Sequence, residues 1–496
     1  MFAKTSITHS TSGTSSKYLD LSSVNQHVVK MEYAVRGALP IRAEKIQSQL
    51  RSDPSAFDFK KVVFCNIGNP QQLEQKPLTF LRQVSSLVEY PELLKEHNLN
   101  ATKMLFAPDS IQRAVDTLSF VGGSVGAYSG STGILKIREN VAKFIEKRDG
   151  FPSSADGIQL TNGASGAVER VLELLISDPS VGVMIPIPQY PLYTASLARF
   201  GARAVQYYLN EGSDWGMDVS DLYRIVEKAR SEGTDVKALV VINPGNPTGG
   251  VLTKENMRDI VQFCEKEKIV LLADEVYQSN VYYPQEKPFI SFKKVACELN
   301  SQVEMFSFHS ISKGMIGECG RRGGYLEMYN IDEEVRAIMY KMASVSLCAN
   351  VLGQIAIDIM VNPPKEGDAS YEQYNSELDS IYNSLKSRSI RLAENFNKQE
   401  NMSCNRAEGA MYLFPQIMLP PKFLEMCKQE GKSPDQEYSM RMLESTGVCV
   451  VPGSGFGQVP GTFHFRCTFL PKEEDFDGFI STFDKFHKGF MNEFRS

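Results

Sequence analysis

The sequence predicts an α/β protein with a large, mostly parallel sheet and a smaller α+β domain built from both chain ends. Three features point there. Between about Gly157 and Tyr325, short runs rich in Val, Ile and Leu recur, each ending in a polar loop with Gly or Pro, as buried parallel strands do. After about Leu347 the texture changes to a long, charged, helix-like stretch followed by short strand-like runs. The residues up to about Leu105 do not make a complete core alone, so they are expected to pack partly with the C-terminal part.

In chain order, the start MFAKTSITHSTSGTSSKYLD is polar, with Lys4 and Lys17 and no acid before Asp20. It lacks the apolar centre of a secretory signal, and missing arginines count against a mitochondrial presequence. An arm over 1–30, disordered or embracing the domains, is the expectation, with a cytoplasmic location and mitochondrial import as the alternative. The smaller domain is assigned to 31–105 and 361–496, the larger, cofactor-sized one to 106–360. GIQLT reads as strand, Asn162-Gly163 as turn and ASGAVERVLELLI as helix, since Val168, Val171, Leu172 and Leu175 recur at helical spacing on one face. VGVMIPI, AVQYYL, KALVVI, KIVLLA and VEMFSF are further strands, running into PQYPLY, NEGSDW, NPGNPTG, DEVYQ and HSISKG. Ligands of open α/β sheets bind beyond the carboxyl ends of strands, so these loops are expected to share one site. SYEQYNSELDSIYNSLKSRSIRLAENFNKQ reads as helix, AMYLFPQIM and CVVPG as strands.

Bulk properties narrow the function classes. The chain has 496 residues, 42% hydrophobic and 23% charged, with net charge −6, enough for two or three domains. Without a Lys/Arg cluster there is no electrostatic reason to expect nucleic acid or an anionic membrane as partner. Nine cysteines are scattered without CxxC spacing, which fits a reducing compartment. The six histidines form no HExxH pair, so no metal site is expected. No apolar run reaches the roughly 18–20 residues of a membrane helix.

The chemistry centres on Lys313 in Ser310-Ile311-Ser312-Lys313-Gly314, after the strand VEMFSF and before a glycine-rich stretch with Arg321 and Arg322. A lysine among small residues beside phosphate contacts from Ser310 and one arginine suits covalent attachment to an aldehyde cofactor. Alone, it would read as a solvated turn lysine. Asp274 ends the apolar run IVLLA, where a carboxylate needs a partner, and a protonated ring nitrogen is one; otherwise it is a helix-capping acid. Tyr277 and Asn246 are placed to reach the phenolic oxygen of such a ring, although Asn246 sits in a proline-rich turn. Ala164-Ser165 opens a helix, either as phosphate cradle or as N-cap. Tyr190 is placed to lie against an aromatic ring.

In order, NGAS, PQYPLY, NPGNPTG, ADEVY and SISKG resemble the class I/II aminotransferases of fold type I. More narrowly, MEYAVRGALPIRA, FCNIGNPQQL, GAYSGSTGI, SFHSISKGMIGECGRRGGYLE and FHFRCTFLP are similar to the alanine aminotransferases. The resemblance implies pyridoxal 5'-phosphate as cofactor, held covalently by Lys313, which also moves the substrate proton. It implies Asp274 at the ring nitrogen, Asn246 and Tyr277 at the phenolic oxygen, and Tyr190 on the ring. Ala164, Ser165, Ser310 and Arg322 would hold the phosphate, together with Tyr128 of the partner subunit in a homodimer. The broader superfamily pattern would put the phosphate arginine at Arg321. Arg466 would bind the substrate α-carboxylate, as a bidentate fork can, with Asn246 and Gly68 beside the substrate. The implied activity is ping-pong amino transfer from L-alanine to 2-oxoglutarate, giving pyruvate and L-glutamate. Another class I/II aminotransferase or a carbon–sulfur lyase is the competing enzyme, and a binding module that kept the fold is the non-enzyme alternative.

Two other motifs lose. Gly122-Gly123-Ser124-Val125-Gly126 matches a nucleophile elbow but runs into AYSGSTG, a poor helix where that motif needs one. Gly431-Lys432-Ser433 has Met426 where a P-loop needs glycine. His309 is read as supporting the lysine motif rather than reacting.

Overall fold

The computed structural model describes residues 19–31, 33 and 37–495. Residues 1–18, most of the arm and the whole presequence question, lie outside them, as does part of the motif at 31–43.

Eight strands form one sheet: β1 Ile158–Asn162, β2 Val181–Ile187, β3 Arg203–Asn210, β4 Gly216–Met217, β5 Asp235–Ile242, β6 Val270–Asp274, β7 Met305–Ser310 and β8 Gly323–Tyr329. Their order is β1-β8-β7-β6-β5-β2-β3-β4. From β7 to β3 the neighbours run parallel, while β8 is antiparallel to both β1 and β7. The apolar runs are continuous because both faces are covered. In β6, Leu271 and Ala273 enter a core with the helices Val219–Ser231 and Lys254–Glu267, and Leu272 enters another with Gly163–Leu175. All six strands expected from the sequence between Ile158 and Ser310 are present.

The sheet is mostly parallel as expected, and β8 is a strand that the sequence reading did not pick out. Gly320–Gly324 read as the glycine-rich tail of the lysine loop, yet Gly323 and Gly324 begin a strand paired with Asn162 and Thr161. The glycines are there for close approach: a Cβ on Gly324 would lie 2.4 Å from the Gly163 carbonyl carbon and 2.7 Å from the Ala164 nitrogen. Gly122 and Gly123 follow the helix Pro108–Phe120, so no strand leads into a nucleophile elbow.

Toward the C-terminus, Tyr371–Lys398 is a 28-residue helix. Short strands β9 Tyr412–Leu413, β10 Val451–Pro452 and β11 Phe465–Thr468 pair around β11. Helix Glu473–Phe494 buries Phe476, Phe479, Phe483, Phe490 and Phe494, an apolar stripe at helical spacing. The chain ends meet: Leu39, Ala43, Ile46 and Leu50 of helix Ala38–Ser52 pack with Leu443 and Cys449, and Val63–Phe64 pairs in parallel with Val448–Cys449. Helix Thr79–Glu89 instead buries Leu81, Val84 and Leu87 in one cluster with Ile158 and Leu160 of β1 and Tyr325 of β8. Amphipathicity shows that such a helix has a buried face, but not which core receives it.

Candidate active site

Beyond the carboxyl ends of the parallel strands lies a cavity of about 330 Å³. Gly68, Ala164, Ser165, Tyr190, Asn246, Asp274, Tyr277, Ser310, Lys313, Arg322 and Arg466 all line it. Tyr128 is 78% exposed on the surface and does not.

Asp274 is the last residue of β6, opposite Ile242 and Phe308. Its carboxylate accepts from the Tyr193 hydroxyl at 2.8 Å and from the Val276 amide at 3.4 Å. Burial pushes its pKa up to about 6; the Tyr193 and Val276 hydrogen bonds and the Lys313 charge pull only partly against this. A carboxylate buried in this way, with no salt bridge of its own, is suited to pair with a cationic group. No helix follows directly, so Asp274 is not a capping acid.

Lys313 follows β7 and donates from Nζ to the Gly68 carbonyl at 2.5 Å. A Cβ on Gly68 would stand 3.0 Å from that Nζ and 2.1 Å from Tyr412 Oη, so glycine is required there by contact. The Cys319 thiol, also in the wall, donates to the Ser312 carbonyl at 3.0 Å.

At the N-terminus of helix Gly163–Leu175, Arg322 donates from Nη2 to Ser165 Oγ at 3.1 Å and to the Asn162 carbonyl at 3.2 Å. The helix N-cap is Asn162 rather than Ser165, which leaves the Ser165 hydroxyl on the cavity side. Arg322 holds φ at 55°, a conformation costing a non-glycine residue about 1–3 kcal/mol and frequent at functional sites. Arg321 pairs with Glu318 at 3.2 Å and is not in this cavity. Free helix N–H groups, a hydroxyl and a guanidinium together form an anion site.

Arg466 lies on β11, 1% exposed. Nη1 donates to Asn246 Oδ1 at 2.9 Å and Nη2 to the Asn66 carbonyl at 2.5 Å, while Nε has no protein partner. Its guanidinium lies over the rings of Tyr412 at 4.2 Å and Phe456 at 4.7 Å. Tyr190 shares a hydroxyl–hydroxyl hydrogen bond of 3.1 Å with Tyr33. Burial raises the Tyr277 phenol well above its ordinary range, so it donates, to Tyr412 Oη at 3.1 Å. Burial also pushes the Tyr412 phenol up, but Lys313, Arg466 and the Tyr277 bond together outweigh this and hold it below the usual value.

Sequence reasoning missed Tyr33, Tyr193, Cys319 and Tyr412. Tyr193 sits three residues after Tyr190, a spacing that puts both on one side of a helix start and was a usable signal. Tyr412 is a strand residue like any other in AMYLFP, without a local signal. His309 is buried, edge-on to Tyr325 at 5.6 Å, and burial lowers its pKa to about 3, so it stays neutral. Among the described residues no cluster of three or more His, Cys, Asp and Glu could hold a metal, and no helix is long and apolar enough to cross a membrane.

Residues 96–482 match the model of the family described as aminotransferase class I and II. The chain belongs to that family. Alanine aminotransferase 2, mitochondrial, of Arabidopsis thaliana is 50% identical over all of this chain and 92% of its own length. Alanine aminotransferase 2 of Panicum miliaceum is 51% identical over 96% of this chain and 98% of itself. More distant are glutamate–glyoxylate aminotransferase 1 of A. thaliana, at 48% over 96% of this chain and 98% of itself, and an inactive alanine aminotransferase of Saccharomyces cerevisiae, at 44% over 95% and 94%. Among solved structures, an alanine aminotransferase from Pyrococcus furiosus superposes with TM-score 0.73 at 24% identity, covering 94% of this chain and all of the other; it bears on the fold alone. Like others of the family, the chain is an aminotransferase that uses pyridoxal 5'-phosphate. The cavity fits that group: a buried carboxylate with no salt-bridge partner, an anion cradle and a lysine all line it.

Proposed function

We propose that this aminotransferase transfers the amino group of L-alanine to 2-oxoglutarate, giving pyruvate and L-glutamate, by a ping-pong reaction in a homodimer. The observation that carries the proposal is one cavity lined by Lys313, Asp274 and Arg466 together, in a chain about half identical to alanine aminotransferases along its length. Kinship alone does not carry it, because one relative is named inactive; the intact cavity supplies the rest.

In this reading Ala164, Ser165, Ser310 and Arg322 hold the cofactor phosphate, with Tyr128 of the partner subunit. Asp274 pairs with the ring nitrogen, Asn246 and Tyr277 bind the phenolic oxygen, and Tyr190 covers the ring. Bound pyridoxal phosphate supplies an electron sink for the charge left when the substrate loses its Cα proton. Arg466, which lines the cavity with its guanidinium held by Asn246 and the Asn66 carbonyl, takes the substrate carboxylate; Asn246 and Gly68 flank the substrate. Arg466 and Lys313 thereby orient Cα toward Nζ, and Lys313 Nζ moves the Cα proton. The same reading divides the chain into an arm at 1–30, a small domain at 31–105 with 361–496, from which helix Thr79–Glu89 departs to pack on the large sheet, and a cofactor domain at 106–360. It places the protein in the cytoplasm, with the mitochondrion named for several relatives.

The test is turnover of the purified protein loaded with pyridoxal phosphate, followed by absorbance. L-Alanine alone is expected to change the cofactor band and release one pyruvate per site, with continued turnover only when 2-oxoglutarate is present. Lys313→Ala is expected to lose the covalent band and on the order of 10²–10⁴ of the rate. Glyoxylate as the better acceptor would move the chain to the second reading, favoured by its 48% identity to a glutamate–glyoxylate aminotransferase. Repeated turnover of L-cysteine without a keto acid would make it a lyase, and no cofactor band would sink the proposal.

A further inference from the structure

Tyr412 has no part in the mechanism above, yet it contacts Arg466 and Tyr277 and borders the space beside Lys313. It is a fully buried residue of β9. Its ring carries the Arg466 guanidinium at 4.2 Å, and its hydroxyl accepts from Tyr277 at 3.1 Å with the two rings crossed at 83°. The space a Gly68 side chain would need is bounded by Tyr412 Oη on one side and Lys313 Nζ on another, 2.1 Å and 3.0 Å from the ideal Cβ. The Gly68 carbonyl in turn accepts from Lys313 Nζ.

We infer that Tyr412 is a positioning residue that links the carboxylate-binding arginine to the lysine: its ring sets the plane of Arg466, its hydroxyl fixes Tyr277 and walls Lys313, and Gly68 is bare to admit it. The inference rests on the function proposed above. Arg466 has long torsional freedom, and its two amino nitrogens are directed by Asn246 and the Asn66 carbonyl. Those bonds limit where the nitrogens go, while a ring beneath the group fixes its tilt. A desolvated cation over a tyrosine face is the strong case of this interaction. The lowered phenol of Tyr412, set by its nearness to Lys313 and Arg466 against the effect of burial, agrees with that geometry.

Ring and hydroxyl separate by substitution. Tyr412→Phe keeps the platform and removes the hydroxyl; Tyr412→Leu removes both. Each would be loaded with pyridoxal phosphate, and KM and kcat for L-alanine measured beside the dissociation constant of propionate, an unreactive carboxylate, by calorimetry. Tyr412→Phe is expected to leave KM and propionate binding within about threefold while kcat falls. Tyr412→Leu is expected to weaken both KM and propionate binding about tenfold or more. Gly68→Ala is expected to lose far more activity in the native background than in Tyr412→Phe, where the hydroxyl in its way is gone.

Unchanged propionate binding and KM in Tyr412→Leu, or equal damage by Gly68→Ala in both backgrounds, would overturn the inference. The Gly68→Ala comparison stands by itself if the leucine variant does not fold. A native protein without cofactor binding or transfer would overturn the proposed function instead, and propionate titration, which needs no turnover, would still decide the arginine platform.

Discussion

At Asp274 a carboxylate has exchanged water for one phenol and one amide, and that leaves a measurable trace. Its native pKa, about 6, stands above the ordinary 3.8, so the folded protein without cofactor holds a proton that the unfolded chain has released. Stability from this group is complete below about pH 4 and is lost as pH rises through 6, roughly 3 kcal/mol in all. A cation at the ring nitrogen reverses the penalty. The gain in melting temperature on adding pyridoxal phosphate is therefore expected to grow from about pH 5 to pH 7, and Asp274→Asn to flatten that growth. Glu275, pushed by burial to about 8, titrates with and without cofactor and so drops out of the difference. Equal pH dependence in the native protein and in Asp274→Asn would remove Asp274 from the ring nitrogen.

Among the elements, the join between β8 and helix Gly163–Leu175 holds the anion cradle together. Gly324→Ala would drive a methyl into the backbone of Gly163 and Ala164, where neither side can yield cheaply. A loss of about 1–3 kcal/mol is expected, read as a lower denaturant midpoint, together with weaker cofactor binding because the helix end carries Ser165. Gly478 is the contrast. It lies in the exposed face of helix Glu473–Phe494 with open space around it, so Gly478→Ala is expected to stabilise by about 0.5–1 kcal/mol without touching cofactor affinity. Similar effects at both glycines would mean that the close approach at Gly324 has slack.

For the whole molecule, the exposed Tyr128 gives the proposed dimer a test that does not depend on size alone. Each site would take Lys313 from one subunit and Tyr128 from its partner. Lys313→Ala and Tyr128→Ala chains are each expected to be weak, but refolding them together regenerates one complete site in every mixed dimer. Activity well above the sum of the two parents is the expected outcome, at twice the 55.4 kDa chain mass by light scattering. No recovery in verified mixed dimers would confine each site to one subunit.

The strands from Ile158 to Ser310, the helix at Gly163 and the loops bearing Asp274, Asn246 and Lys313 were legible because they are local. Continuous apolar runs mark strands covered on both faces, and polar residues just beyond them have one place to go. β8 was not legible, since its glycines act by an absent side chain and a neighbour's backbone, neither of which leaves a period in sequence. Arg322 over Arg321 was favoured by resemblance alone, while the left-handed turn at Arg322 that accompanies its place in the cavity has no local signal. Family resemblance marked Arg466 and Gly68, but their setting joins residues 400 and 245 positions apart. The amino-acid sequence by itself determined the layered fold and the kinds of chemistry at its strand ends. Only the tertiary structure decided that Tyr412 stands between lysine and arginine, because contacts between distant segments are set by packing and not by local periodicity.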